Sequence, residues 1–112
     1  MSIEQTDVVD FISVDEAANE VVLTISDHLD WEGDIKEHLL LLQEKINSYL
    51  RFIESGELRG SYSNANGRNA VINIVGKYPL NEEARVFIDQ VKSVVSNAGM
   101  ALRFELFKAD VV

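Results

Sequence analysis

A helical pattern occupies the middle of the chain, from the acidic residues 30–34 to Ile53. Its apolar residues recur at steps of three and four, which places them on one face of an α-helix. They are Ile35, Leu39, Leu42, Ile46, Tyr49, Leu50 and Ile53. Asp30 is the predicted N-cap, because its carboxylate can accept hydrogen bonds from the first amides of the helix. Gly56 predicts where the helix stops.

Two strands are predicted before this helix. Residues 7–14 are mostly apolar, and residues 20–26 alternate between an apolar and a more polar face. The polar residues 15–19 between them predict a turn, so the two segments are expected to form a β-hairpin.

A second pair of strands is predicted after the helix. Residues 57–63 read as a strand, the stretch 64–67 contains the turn signal Asn-Gly, and residues 69–77 are rich in β-branched side chains. Such residues favour strands, and Asn-Gly favours a tight turn. Pro79 predicts the end of the second strand of this pair.

The last third of the chain predicts one more helix and one more strand. Asn81 can cap the helix, and Gly99 closes it. Its apolar stripe is Ala84, Phe87, Ile88, Val91, Val94, Val95 and Ala98. Residues 102–106 alternate apolar and charged, as a final strand does. Lys108 onward is expected to be a frayed tail.

The predicted element order is ββαββαβ, which indicates a single α+β domain over residues 1–112. Alternating strands favour a mostly antiparallel sheet of four to five strands, with both helices on one face. The strands at 69–77 and 102–106 flank a helix, so this pair is expected to be parallel.

Charge is distributed unevenly along the chain. The net charge is −9, and residues 1–37 hold eleven acids against one base. An acidic surface repels phosphate backbones, so we expect no nucleic-acid partner. The plain interpretation of this acidic excess is a solvated face. The alternative is that the face binds a basic protein or a divalent cation.

The remaining composition narrows the class of protein. The chain has no cysteine, which excludes disulfides and thiolate chemistry. Its start has no basic and apolar signal-peptide pattern, and its longest apolar run, Leu39 to Leu42, is too short to span a membrane. We therefore expect a cytoplasmic protein without a membrane partner.

Candidate chemistry is concentrated where the second strand meets the long helix. The candidate binding residues are Asp27, His28, Asp30, Trp31 and His38. Carboxylate and imidazole are metal ligands, but their spacing matches no compact metal motif. No catalytic motif is present either, so we assign no catalytic residue, no metal ligand and no cofactor. Trp31 is expected to be buried under the start of the helix rather than exposed for recognition.

The pattern DHLDW at 27–31, HLLLLQ at 38–43 and KYP at 77–79 resembles a family of short uncharacterised bacterial proteins, classed as a domain of unknown function. The resemblance covers nearly the whole chain. It implies a bacterial, single-domain, cytoplasmic protein, and it implies no activity, cofactor or catalytic residue.

Two functions stay open at this stage. We favour a small acidic, non-enzymatic module that binds a basic protein. The alternative is a metal-dependent enzyme that uses the 27–38 corner.

The oligomeric state is also open. The side-chain pair Leu41 and Phe52 and the pair Phe87 and Val94 form apolar flanks on the two helices, and we favour a monomer in which these flanks meet. The alternative is a homodimer through the long helix, which would also account for Leu40.

Overall fold

The structure, a computed structural model, describes residues 3–107. Its strands are β1 (Phe11–Asp15), β2 (Glu20–Asp27), β3 (Asn69–Gly76) and β4 (Ala101–Leu106). Its helices are α1 (Ile35–Glu54), α2 (Glu57–Ser61) and α3 (Glu82–Asn97), and a 3₁₀ turn at Ser63–Ala65 follows α2. The predicted tail from Lys108 lies outside the described residues.

The four strands form one sheet in the order β1-β2-β3-β4. Only β1 and β2 are antiparallel, whereas β2–β3 and β3–β4 are parallel. The sheet is therefore mixed, and the prediction of a mostly antiparallel sheet is wrong. The parallel pairing of the last two strands is confirmed.

The segment from residue 57 to 63 explains this difference. It was predicted as a strand, but it forms α2 and the start of the 3₁₀ turn. Gly56 takes a left-handed conformation with φ of 87°, and the amide of Gly60 donates to its carbonyl. Leu58 is fully buried, so the short helix is held by burial of one side chain. Without a strand here, β2 reaches β3 through helices, and such a crossover gives parallel strands.

The helix caps match the prediction in one case and not in the other. Asn81 caps α3 by accepting a hydrogen bond from the amide of Ala84, as predicted. The N-cap of α1 is Asp34 and not Asp30, because Asp34 accepts from the amide of Glu37.

One face of the sheet carries the core. The buried strand side chains that share this face are Val21, Leu23, Ile25, Ala70, Ile72, Ile74 and Leu102. They form one cluster with buried residues of α1 and α3, among them Leu42, Ile46, Tyr49, Ala84, Ile88 and Val95. Both long helices therefore pack on the same face, as predicted.

The opposite face carries an ion pair that crosses the sheet. Arg103 of β4 donates to both carboxylate oxygens of Glu20 on β2, at 2.9 and 2.6 Å. The pair spans β3, which lies between these strands, at the level of Val71. Val71, which lies on this face, is only 1% exposed.

Residues 3–10 cover one flank of α1. Phe52 lines a cleft together with Val9, and Leu41 lines another together with Glu4. This flank therefore faces the N-terminal segment and not the second long helix, which was the predicted neighbour.

The flank of α3 is arranged differently. Phe87 lines a groove with Leu39 of α1, whereas Val94 is 63% exposed. The predicted contact between the Leu41–Phe52 flank and the Phe87–Val94 flank is thus wrong, because another side of α1 faces α3.

Candidate functional site

Asp27 and His38 form a buried pair at the corner between β2 and α1. Asp27 is the last residue of β2, and His38 lies in the first turns of α1. The imidazole Nε2 is 2.6 Å from Oδ2 of Asp27. Their side chains are 3% and 4% exposed, so the contact is shielded from water. The other oxygen, Oδ1, accepts from the amide of Leu29.

The hydrogen-bond partners define where the protons of His38 lie. Its Nδ1 is 3.0 Å from the backbone carbonyl of Asp30. A carbonyl oxygen can only accept, so Nδ1 must carry a proton. A second proton lies between Nε2 and the Asp27 carboxylate. Both ring nitrogens are therefore engaged, and the imidazole has no nitrogen left for a substrate or a metal.

Trp31 closes this corner from one side. Its ring stacks on the imidazole of His38 with a centroid distance of 3.5 Å and an angle of 14°. The side chain is 8% exposed, so the expected burial of Trp31 is confirmed. The tryptophan shields the Asp27–His38 pair and joins it to the apolar core.

The five predicted site residues do not act as one group. Asp27, Trp31 and His38 are buried together, whereas Asp30 and His28 are exposed. Asp30 accepts from the amide of Glu32 through its side chain and contacts His38 through its carbonyl. His28 is not part of the buried pair, and its Nε2 lies 3.6 Å from a carboxylate oxygen of Glu4.

An acidic cleft of about 360 Å³ lies beside this corner. Its lining includes the carboxylates of Glu4, Asp30, Asp34 and Glu37. Leu29, Leu41 and Tyr78 add apolar surface, and His28, Gly33 and His38 complete the lining. Within the described residues, this lining contains no lysine or arginine.

Sequence reasoning did not place Glu4, Leu41 or Tyr78 in this cleft. A signal for Tyr78 was present, because it follows β3 as His28 follows β2, and the ends of neighbouring parallel strands meet at one edge of a sheet. The register pairs Asp27 with Gly76, which confirms that these ends adjoin. The signal was hidden by the antiparallel arrangement predicted for the sheet.

A second buried polar cluster holds the N-terminal segment, and thereby Glu4, in place. The Nζ atom of Lys45 lies 2.9 Å from Asp10 and donates to the carbonyls of Gln5 and Val8 at 2.7 and 2.6 Å. Lys45 is fully buried, although lysine is rarely so. The chain before β1 is thus fastened to α1, with Ile3 buried in the core.

Tyr49 extends this cluster towards the sheet. Its hydroxyl donates to the carbonyl of Thr24 at 2.7 Å and accepts from the amide of Asp10 at 3.0 Å. Burial raises the pKa of Tyr49 to about 12, and the nearby Asp10 charge also raises it, while the Asp10 amide acts in the opposite direction. The hydroxyl therefore stays protonated and keeps donating.

The described part of the chain shows neither a metal-binding cluster nor a membrane-spanning helix. Within residues 3–107, no group of three or more histidine and carboxylate side chains is arranged to hold a metal ion. Over the same residues, no helix is both long and apolar enough to cross a bilayer.

Comparison with known proteins identifies the family. The chain belongs to a family of unknown function (DUF6572), which it matches over residues 1–108. No curated protein and no solved structure matches it.

Proposed function

We propose that the protein is a non-enzymatic binding module whose acidic cleft takes a lysine or arginine side chain of a basic partner protein. The observation that carries the proposal is the lining of the cleft, where Glu4, Asp30, Asp34 and Glu37 surround the apolar side chains of Leu29, Leu41 and Tyr78. A long basic side chain has a matching chemistry, because its aliphatic stem packs on apolar surface while its charged end stays among polar groups.

The rest of the surface supports an electrostatically guided encounter. Residues 1–37 carry a net charge of −10, against +1 for the rest of the chain, and most of their carboxylates are exposed. Such a field speeds the approach of a basic protein and makes the association rate depend on salt. In this proposal the protein acts in a bacterial cytoplasm and binds neither nucleic acid nor a membrane.

The alternative of a metal-dependent enzyme has less support from the same corner. His38 is the buried imidazole of the cluster, and both of its nitrogens already have partners. Asp27 likewise uses both oxygens, towards His38 and Leu29. Binding by this pair would require breaking a buried contact.

The test is a binding titration with short labelled peptides that carry lysine or arginine in an otherwise neutral sequence. We expect saturable binding that weakens as salt is added. Glu4→Gln together with Glu37→Gln should weaken it by roughly tenfold, because two charges of the cleft are lost. Asp34 is left unchanged, since it caps α1.

The matched control is Glu16→Gln with Glu44→Gln, which removes the same charge from exposed positions outside the cleft. Its effect should be several times smaller. Equal losses in the two double variants would contradict a role for the cleft, and binding that is indifferent to salt would contradict the acidic surface as a whole.

A further inference from the structure

The outer edge of β4 has no neighbouring strand within residues 3–107. In the described part of the chain β4 pairs with β3 alone and stands last in the sheet. Proteins usually protect such an edge with proline, charged side chains, a bulge or a covering element, because unpaired amides and carbonyls invite another strand. Ala101–Leu106 contains no proline, and its register with β3 is continuous. Its two charges, Arg103 and Glu105, are of opposite sign, so they oppose pairing only in a register that places like charges together. The edge is therefore competent to accept a strand.

The hydrogen bonding between β3 and β4 shows which backbone groups of β4 point to the open edge. The amide of Phe107 donates to the carbonyl of Gly76 on β3 at 2.7 Å. The backbone groups of successive residues in a strand point to alternate sides. The amides and carbonyls of the odd-numbered residues of β4 therefore point towards β3. The amides and carbonyls of Leu102, Phe104 and Leu106 consequently point to the open edge.

We propose that β4 pairs with β4 of a second copy of this chain, antiparallel and across a two-fold axis at Phe104. Phe104 then faces Phe104 of the second copy, and Leu102 faces Leu106. These are the residues with outward backbone groups, so each pair can exchange two hydrogen bonds. The two sheets become one sheet of eight strands, and the interface is the same patch on both copies.

The charges of β4 select this register. Arg103 lies opposite Glu105 of the second copy, in a non-hydrogen-bonded pair, where side chains approach most closely. A shift by two residues in one direction places Arg103 opposite itself, and a shift in the other direction places Glu105 opposite itself. Like charges directly opposite each other destabilise a sheet. One register therefore satisfies both the hydrogen bonds and the charges.

Side-chain size and exposure agree with the same register. Phe107, which is 60% exposed, lies opposite the small Ala101. Leu106 is also exposed and gains Leu102 as a neighbour. Arg103 remains half exposed in its pair with Glu20, so a second carboxylate can approach it. By contrast, the other edge strand, β1, has no basic residue and cannot form such a charge pair.

Pairing of the two edges also brings the two α3 helices near each other. The flank of α3 that faces away from α1 carries Arg85, Asp89 and Lys92, all exposed. Charges of both signs on this flank allow opposite pairs to form across the axis. The arrangement is separate from the acidic cleft and does not depend on the function proposed for it.

The experiment is light scattering on the purified chain combined with two charge reversals. The wild type should have twice the 12.6 kDa mass of one chain. Glu105→Arg places arginine opposite Arg103, and Arg103→Glu places glutamate opposite Glu105, so each variant alone should be monomeric, with a dissociation constant raised at least about tenfold. An equimolar mixture of the two variants restores opposite charges at both positions and should return to the dimer mass.

The control is Glu44→Arg, the same change at an exposed position of α1, which should remain dimeric. Circular dichroism checks that each variant is folded. Recovery of the dimer on mixing is an independent check, which is needed because Arg103→Glu also loses its pair with Glu20 and Glu105→Arg loses its hydrogen bond from Asn73. A wild type that is monomeric up to roughly millimolar concentration overturns the proposal. A dimer that persists in Glu105→Arg also overturns it. The same holds for a chain that stays monomeric and instead binds an unrelated extended peptide along β4.

Discussion

Asp27 and His38 are eleven residues apart in the chain, and their side chains meet at 2.6 Å in a site closed to water. The contact joins the end of β2 to the start of α1. Because the Nδ1 atom of His38 is bound to a carbonyl, the pair shares one proton at Nε2. The corner is therefore held by a hydrogen-bonded acid–imidazole pair and by the ring of Trp31 stacked upon it.

Removing the imidazole should be costly. His38→Ala leaves the Asp27 carboxylate buried without its main partner, and we expect a loss of about 3–5 kcal/mol in the free energy of unfolding. Asp27→Asn should cost clearly less, because an amide in the same position can donate to Nε2 and still accept from Leu29. Urea unfolding followed by the fluorescence of Trp31, the single tryptophan, measures both. Equal losses would contradict the assigned protons.

Lys45→Met should release the N-terminal segment. Methionine fills a similar volume but leaves Asp10 buried without its cation and removes the lysine donor from the carbonyls of Gln5 and Val8, although Gln5 keeps the amide of Val8. We expect a loss of about 3–5 kcal/mol and faster hydrogen exchange in residues 3–10. Lys36→Met, at an exposed position of α1, is the control and should change stability little. Unchanged exchange in Lys45→Met would contradict a role for Lys45 in holding residues 3–10.

Most of the helices and strands could be predicted from the sequence, whereas the direction of the strands in the sheet could not, for a physical reason. Long helices such as α1 and α3 bury a stripe of apolar side chains, and the spacing of these residues can be recognised in the sequence. The five residues of α2 bury only Leu58, so no period could reveal them, and this single error reversed the direction of β3 in the predicted sheet. Lys45 was overlooked because a lysine is expected to be solvated. Its position between Leu42 and Tyr49 on the buried side was the available signal.

The stability should fall at high pH through Tyr49. Its pKa is raised from 10.0 to about 12 in the folded protein, so the unfolded chain loses the phenolic proton first as pH rises. The stabilisation is complete below pH 10 and is lost as pH rises towards 12. Tyr49→Phe should be less stable near neutral pH and should lose less stability across that window. Tyrosinate absorbance, taken as the difference between wild type and variant, should titrate near 12; a midpoint near 10 would contradict the buried hydroxyl.

Gly76→Ala should destabilise the β3–β4 pair. A Cβ atom at this position would lie 2.7 Å from Cε2 of Phe104 and 3.3 Å from the carbonyl of Tyr78. The aromatic ring must move, and we expect a loss of about 1–3 kcal/mol. In a Phe104→Leu background the aromatic ring is absent, so Gly76→Ala should cost less there than in the wild type. Gly33→Ala, which has no atom within 4 Å of the added carbon, is the control; equal effects at both glycines would contradict the clash.

The bridge between Glu20 and Arg103 has a consequence for the order in which the chain folds. It joins residues 83 positions apart, so it can close only after β4 has been synthesised and has docked. Until then Val71 lies uncovered and the free edge of β3 resembles that of an unfinished sheet. We expect the docking of β4 to be a late step in folding, with the ion pair forming together with it. A chain released from the ribosome before residue 103 would expose an unpaired, apolar strand edge, and such fragments should be prone to aggregation.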